Sequence, residues 1–79
     1  SPGDYDTDDL VIQAQSGSQG GITIASDTNQ AGRIYFADGT SGGSDARGMI
    51  SYDHNNDKLS VGTAGSNRIY VHSDGHIDF

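Results

Sequence analysis

The chain has no cysteine, a single proline and only four basic residues among 79. Each shortage excludes something. Without cysteine there is no disulfide framework and no thiolate zinc site. Small extracellular domains often lean on disulfides, so stability here has to come from elsewhere. Four basic residues against eleven acidic ones leave a net charge of −7. That balance cannot supply a phosphate-tracking groove, and it argues against nucleic acid or an anionic membrane surface as partner. No apolar run reaches the length of a membrane span or a signal-peptide core, so no membrane insertion is expected. The chain is then expected either to stay where it is made or to leave by a route that needs no signal here, such as release of a virus particle. Hydrophobic residues make up 32%, with the 12 glycines counted apart.

Helical periodicity is lacking too: Gly or Ser interrupts every window with apolar residues at i, i+3 and i+4. What recurs is apolar-polar-apolar. It appears at Leu10/Ile12, Ile22/Ile24, Ile34/Phe36, Ile50/Tyr52, Leu59/Val61, Ile69/Val71 and Ile77/Phe79. Each pair predicts a short strand with one buried face. The intervening "SGSQGG", "SDTNQAG", "DGTSGGSDARG", "HNND", "GTAGSN" and "SDG" carry turn and loop chemistry. Residues 1–9, "SPGDYDTDD", form an acidic leader or linker ahead of a β domain over 10–79. Ser1-Pro2-Gly3 has the look of a cloning remnant, and the stop at Phe79 right after a strand-like run suggests a piece of a longer chain.

Register follows from arithmetic, because directly opposed residues of an antiparallel pair have a constant sum of numbers. Val71 with Ile77, and Ile69 with Phe79, both sum to 148. That centres a three-residue loop on Asp74, with Gly75 at positive φ in a G1 bulge. Tyr52 with Leu59, and Ile50 with Val61, sum to 111. This leaves Asn55-Asn56 as a two-residue type I′ loop with Asp53 facing Lys58. Ile12 with Ile22, and Ile24 with Ile34, align through longer loops. "RIYFADG" and "RIYVHSDG" are then two copies of one strand-to-turn unit: Ile with Phe or Val faces inward, and Arg and Tyr face outward. Fourteen inward side chains make a thin core for 79 residues, which favours a homo-oligomer whose copies share it. Whether strands pair within a chain or between chains stays open at this point.

Chemical constellations are few. Asp53, Asn55 and Asp57 match positions 1, 3 and 5 of a calcium loop, but Lys58 stands where Gly is required and Ala64 where a carboxylate is. The hairpin accounts for them better. Asp4, Asp6, Asp8 and Asp9 are expected to be a solvated acidic leader. His72 and His76 come out as cross-strand neighbours on the outward face, with no third ligand in view, and are expected simply to close a hairpin. No Ser sits in a nucleophile elbow, and neither "GSQGG" nor "GTSGGS" leads into a helix that would cradle phosphate. Neither a catalytic activity nor a metal or other cofactor is expected. Arg33 with Tyr35, and Arg68 with Tyr70, alternate outward on two strands, where rings and donors could stack on and bond a sugar. The plainer alternative is that these side chains cover a sheet surface.

The blocks "GRIYFADGTSG" and "YDHNND", followed by "GTAGSNRIYVHSDGHI", resemble a segment of bacteriophage tail-fibre and related virion structural proteins, over residues 20–78. The strand pattern gives an all-β chain of short antiparallel meander strands, and the resemblance implies their assembly into an elongated homotrimeric fibre in the virion, for which an intertwined arrangement and separate sheets both stay open. It further implies a stiff spacer that adjoins other fibre segments and supports host attachment. Members of that family often carry a self-cleaving chaperone domain further downstream, and nothing in this chain matches it. Two other readings compete: a monomeric β-sandwich that binds carbohydrate, including a host surface glycan, through Arg33, Tyr35, Arg68 and Tyr70; and a filament subunit that polymerises through exposed strand edges.

Overall fold

The structure, a computed structural model, describes residues 9–79. Asp4, Asp6 and Asp8 of the acidic leader lie outside the described residues. Five strands form one antiparallel sheet: β1 (Ala31–Phe36), β2 (Gly48–Asp53), β3 (Lys58–Thr63), β4 (Ser66–Val71) and β5 (Ile77–Asp78). Their spatial order is their chain order, β1-β2-β3-β4-β5, which makes the sheet a meander with every pairing inside one chain.

Both register sums hold. β2 and β3 pair Ile50 with Val61 and Tyr52 with Leu59, and Asp53 faces Lys58. β4 and β5 pair Val71 with Ile77. The loop between the latter is the three-residue type, with Gly75 at φ +89° and its N–H donating to the His72 carbonyl at 2.8 Å. The pairing ends at Tyr70 with Asp78, so the expected Ile69–Phe79 contact is absent and Phe79 stands free in solvent.

Other expectations need correction. The β2–β3 loop is four residues long, His54–Asp57, and the positive φ belongs to Asp57 (+49°) rather than to Asn55 or Asn56. The Asp53 carboxylate explains why. It accepts the Asn55 N–H and the Asn56 side-chain amide, each at 2.9 Å, and so holds both asparagines in an Asx turn. The turn with positive φ at both central residues, the requirement of type I′, is Ala64-Gly65 between β3 and β4 (φ +52° and +76°). "GTAGSN" is therefore mostly ladder, since Thr63 already pairs with Ser66. In the β1–β2 connection Gly42–Ala46 forms a single 3-10 turn. It is tied to the end of β1 by Asp38 N–H to Ser44 O (2.9 Å) and Arg47 N–H to Phe36 O (3.0 Å).

The first two expected strands do not form: Leu10/Ile12 and Ile22/Ile24 lie in chain without ladder pairing. Two apolar residues beside Gly-rich loops give little to bury, and Leu10 and Ile22 remain exposed. The segment instead turns at Gln15–Ser18 and Asp27–Gln30. It returns along β1, where the Ser26 hydroxyl donates to Ala31 O at 3.3 Å and Ile24 lies against Gly32.

Alternation along the strands sorts the side chains into two faces. One carries Ile34, Phe36, Ile50, Tyr52, Leu59, Val61, Ile69, Val71 and Ile77 in cross-strand rows. The other carries Arg33, Ser51, Ser60 and Tyr70 in one row, and Tyr35, Met49, Gly62 and Asn67 in the next. Among the described residues no hydrophobic side chain is buried, and the apolar face is open. The radius of gyration is 15.4 Å, against about 11–12 Å for a compact domain of this length. No described helix is long and apolar enough to cross a membrane.

Candidate functional site

The polar face holds Arg33, Tyr35 and Tyr70 of the four residues singled out in the sequence, but not Arg68, and it does not gather the three at one place. Arg33 and Tyr35 sit on edge strand β1, and Tyr70 sits in the same row as Arg33 but three strands away. At about 4.8 Å per strand that is roughly 14 Å. Arg68 is diverted by the irregularity that shifts the β3–β4 register after Val61. Its Nε donates to the Thr63 carbonyl and hydroxyl, each at 3.3 Å, and Thr63 alternates with Val61 on the apolar side. Tyr70 has a cation over its ring instead, the Lys58 ammonium at 4.8 Å from the centroid.

The register brings other residues together between Arg33 and Lys58. Ser51 and Ser60 continue the Arg33 row across β2 and β3. With Asp53, Lys58 and Asn67 they line a shallow polar groove of about 300 Å³ on this face. Ser60 is the most sequestered polar residue described, at 6% exposure. Lys58 and Ser60 could have been found from the 111 sum, which places them opposite Asp53 and Ser51. The strand pattern alone marks them only as outward residues of unremarkable type.

The two C-terminal histidines are neighbours, as the 148 sum requires. The His72 N–H donates to His76 O at 2.8 Å, and the rings lie 5.6 Å apart. Both Nε2 atoms reach the Asp78 carboxylate, His72 at Oδ2 and His76 at Oδ1, each at 2.8 Å. Asp78 was legible as the residue opposite Tyr70 and two after His76, yet its sharing between both rings depends on side-chain rotamers. These bonds, that of His72 first and that of His76 second, hold the Asp78 carboxyl below its ordinary range. The three side chains thus bond one another. At the opposite loop, the Tyr52 hydroxyl donates to Asp57 Oδ1 at 3.2 Å. Desolvation, this bond and the Asp57 charge together raise the Tyr52 phenol. The calcium-like spacing is thus taken up within the turn, because Asp53 and Asp57 already accept protein donors.

A pH dependence follows from Asp78. Its folded-state pKa is depressed, so its contribution is present above the unfolded value and is lost as pH falls through the folded one. Hydrogen-exchange protection of the His72 amide, corrected for intrinsic rate, is expected to fall below about pH 4. Asp78→Asn is expected to remove that step. An unchanged pH profile in the variant would contradict it.

On the apolar face Ile24, Ile34, Ile50, Tyr52, His54 and Leu59 surround a concavity of about 260 Å³. It is open to solvent and continuous with the rest of that face. Compared with protein-family models, curated proteins and solved structures, the chain matches none of them.

Proposed function

We propose that the chain is a structural segment of a phage tail fibre or similar virion appendage, a stiff homotrimeric spacer that supports host attachment. One observation carries the reading: a hydrogen-bonded five-strand sheet with one mainly apolar face and no buried hydrophobic residue among those described. Such a face is unstable in water unless something covers it. Ile34, Phe36, Ile50, Tyr52, Val61, Ile69 and Ile77 are all exposed on it, a contiguous row-by-row patch of the kind that marks an interface. Copies of the same chain meet that need by turning their apolar faces to a common axis, which leaves the polar faces outside. The preference for three copies over a face-to-face pair comes from the resemblance in "GRIYFADGTSG" and "YDHNND".

The mechanism is mechanical. Ladder hydrogen bonds fix each sheet, and the shared apolar seam resists bending. Light scattering over a wide dilution range tests the reading: a constant trimer mass supports it. A constant dimer mass would keep a covered face but overturn the trimeric fibre.

A further inference from the structure

We propose that the polar face carries a binding groove for an anionic saccharide, with Arg33 and Lys58 as the anion-binding groups and Ser60 as the hydroxyl partner at its floor. The groove lies on the face opposite the apolar one, so it stands on the sheet and not on the number of copies.

Three observations converge there. The chain has four basic residues and a net charge of −7, yet two of the four, Arg33 and Lys58, line one groove. Among the described residues neither makes a salt bridge, because the only pairs are His72 and His76 with Asp78. Asp53, directly opposite Lys58, has both carboxylate oxygens bonded to Asn55 and Asn56 and does not reach the ammonium. Among the described residues the groove thus sets two cations without a salt bridge against the single carboxylate of Asp53, a lining that leaves one net positive charge for an anion to meet. Ser60 adds a second feature: the residue is 94% covered yet lines the groove, and its hydroxyl can give one hydrogen bond to a ligand and accept another.

The rest of the lining fits a polyol. Ser51 beside Ser60 and the Asn67 amide in the next row supply donors and acceptors, and the Tyr70 ring stands beside Lys58. Arg33 and Lys58 rise from strands separated by two spacings, about 10 Å, so they approach a ligand from opposite sides. The guanidinium offers a forked pair of donors that matches a carboxylate or sulfate, while the ammonium acts as a point charge. Shallow, solvated and polar, the groove suits a sugar rather than an apolar small molecule.

The test is titration of the full chain, followed by backbone amide NMR shifts, with oligogalacturonate, a heparin-derived oligosaccharide and a neutral galactose oligosaccharide. Shifts at Arg33, Ser51, Lys58 and Ser60 are expected with an acidic oligosaccharide, at an affinity at least about tenfold above that for the neutral one. Arg33→Gln and Lys58→Gln are each expected to weaken binding about tenfold without changing the solution mass or the β circular dichroism. Tighter binding of the sulfated than the uronic saccharide, with the same loss in both variants, supports the groove and names sulfate as the anion. No binding at millimolar concentration, equal binding of neutral and acidic sugars, or indifference to both substitutions would overturn the proposal. A trimer that binds no sugar sinks the groove alone, and a folded monomer that binds one sinks the fibre alone.

Discussion

Replacing Val61 with Asp is expected to abolish assembly and, with it, the β signature in circular dichroism. Val61 sits on β3 in the row Ile34–Ile50–Val61–Ile69, the middle of the uncovered face. If copies meet there, the substitution forfeits about 2 kcal/mol of burial and places a carboxylate in an apolar seam. A cost of about 4 kcal/mol per chain corresponds to a weakening of association by roughly a thousandfold. Tyr35→Lys, on the opposite face of β1, is expected to leave the mass unchanged. Sedimentation or light scattering at matched concentrations reads both. A Val61→Asp chain that keeps the parent mass would show that this face is not the interface.

Gly62→Val is expected to destabilise the folded chain by about 3 kcal/mol, for a reason unrelated to assembly. A Cβ at Gly62 would lie 2.7 Å from the Ser66 carbonyl oxygen and 2.8 Å from Met49 Cγ. Met49 is flexible and can yield, but the Ser66 carbonyl belongs to the β3–β4 ladder beside the register shift. Adding Met49→Ala is therefore expected to recover only part of the loss. Denaturant unfolding of Gly62→Val and of the double variant measures this, and full rescue by Met49→Ala would place the whole conflict in the side chain.

How much of this was legible depended on loop length. Two hairpins could be set in register because short loops join apolar pairs, so the sums 111 and 148 had one sensible solution each. The β3–β4 hairpin escaped because "GTAGSN" reads as loop, although its ends are ladder and only Ala64-Gly65 turn. Ala at positive φ is disfavoured, so nothing in the residue types advertises that turn. The Asn55-Asn56 assignment failed for a different reason: residue preference suggested type I′, but the Asp53 side chain captured both asparagines first. Leu10, Ile12, Ile22 and Ile24 have the right alternation, yet pattern alone does not supply a partner strand.

At the candidate site the alternation correctly put Arg33, Tyr35 and Tyr70 on one face. It could not show that Tyr70 stands three strands from Arg33, nor that the bulge carries Arg68 toward Thr63. The groove became visible only once the strand order was known, because its floor residue Ser60 is ordinary in sequence and distinctive only in burial.

The central claim is that this sheet is one wall of a shared core. Its most direct test is the solution mass of the chain by light scattering from high to low concentration, with circular dichroism recorded on the same samples. A constant trimer mass, with β structure lost only where the trimer dissociates, is the expected result. A folded monomer at every concentration would contradict it.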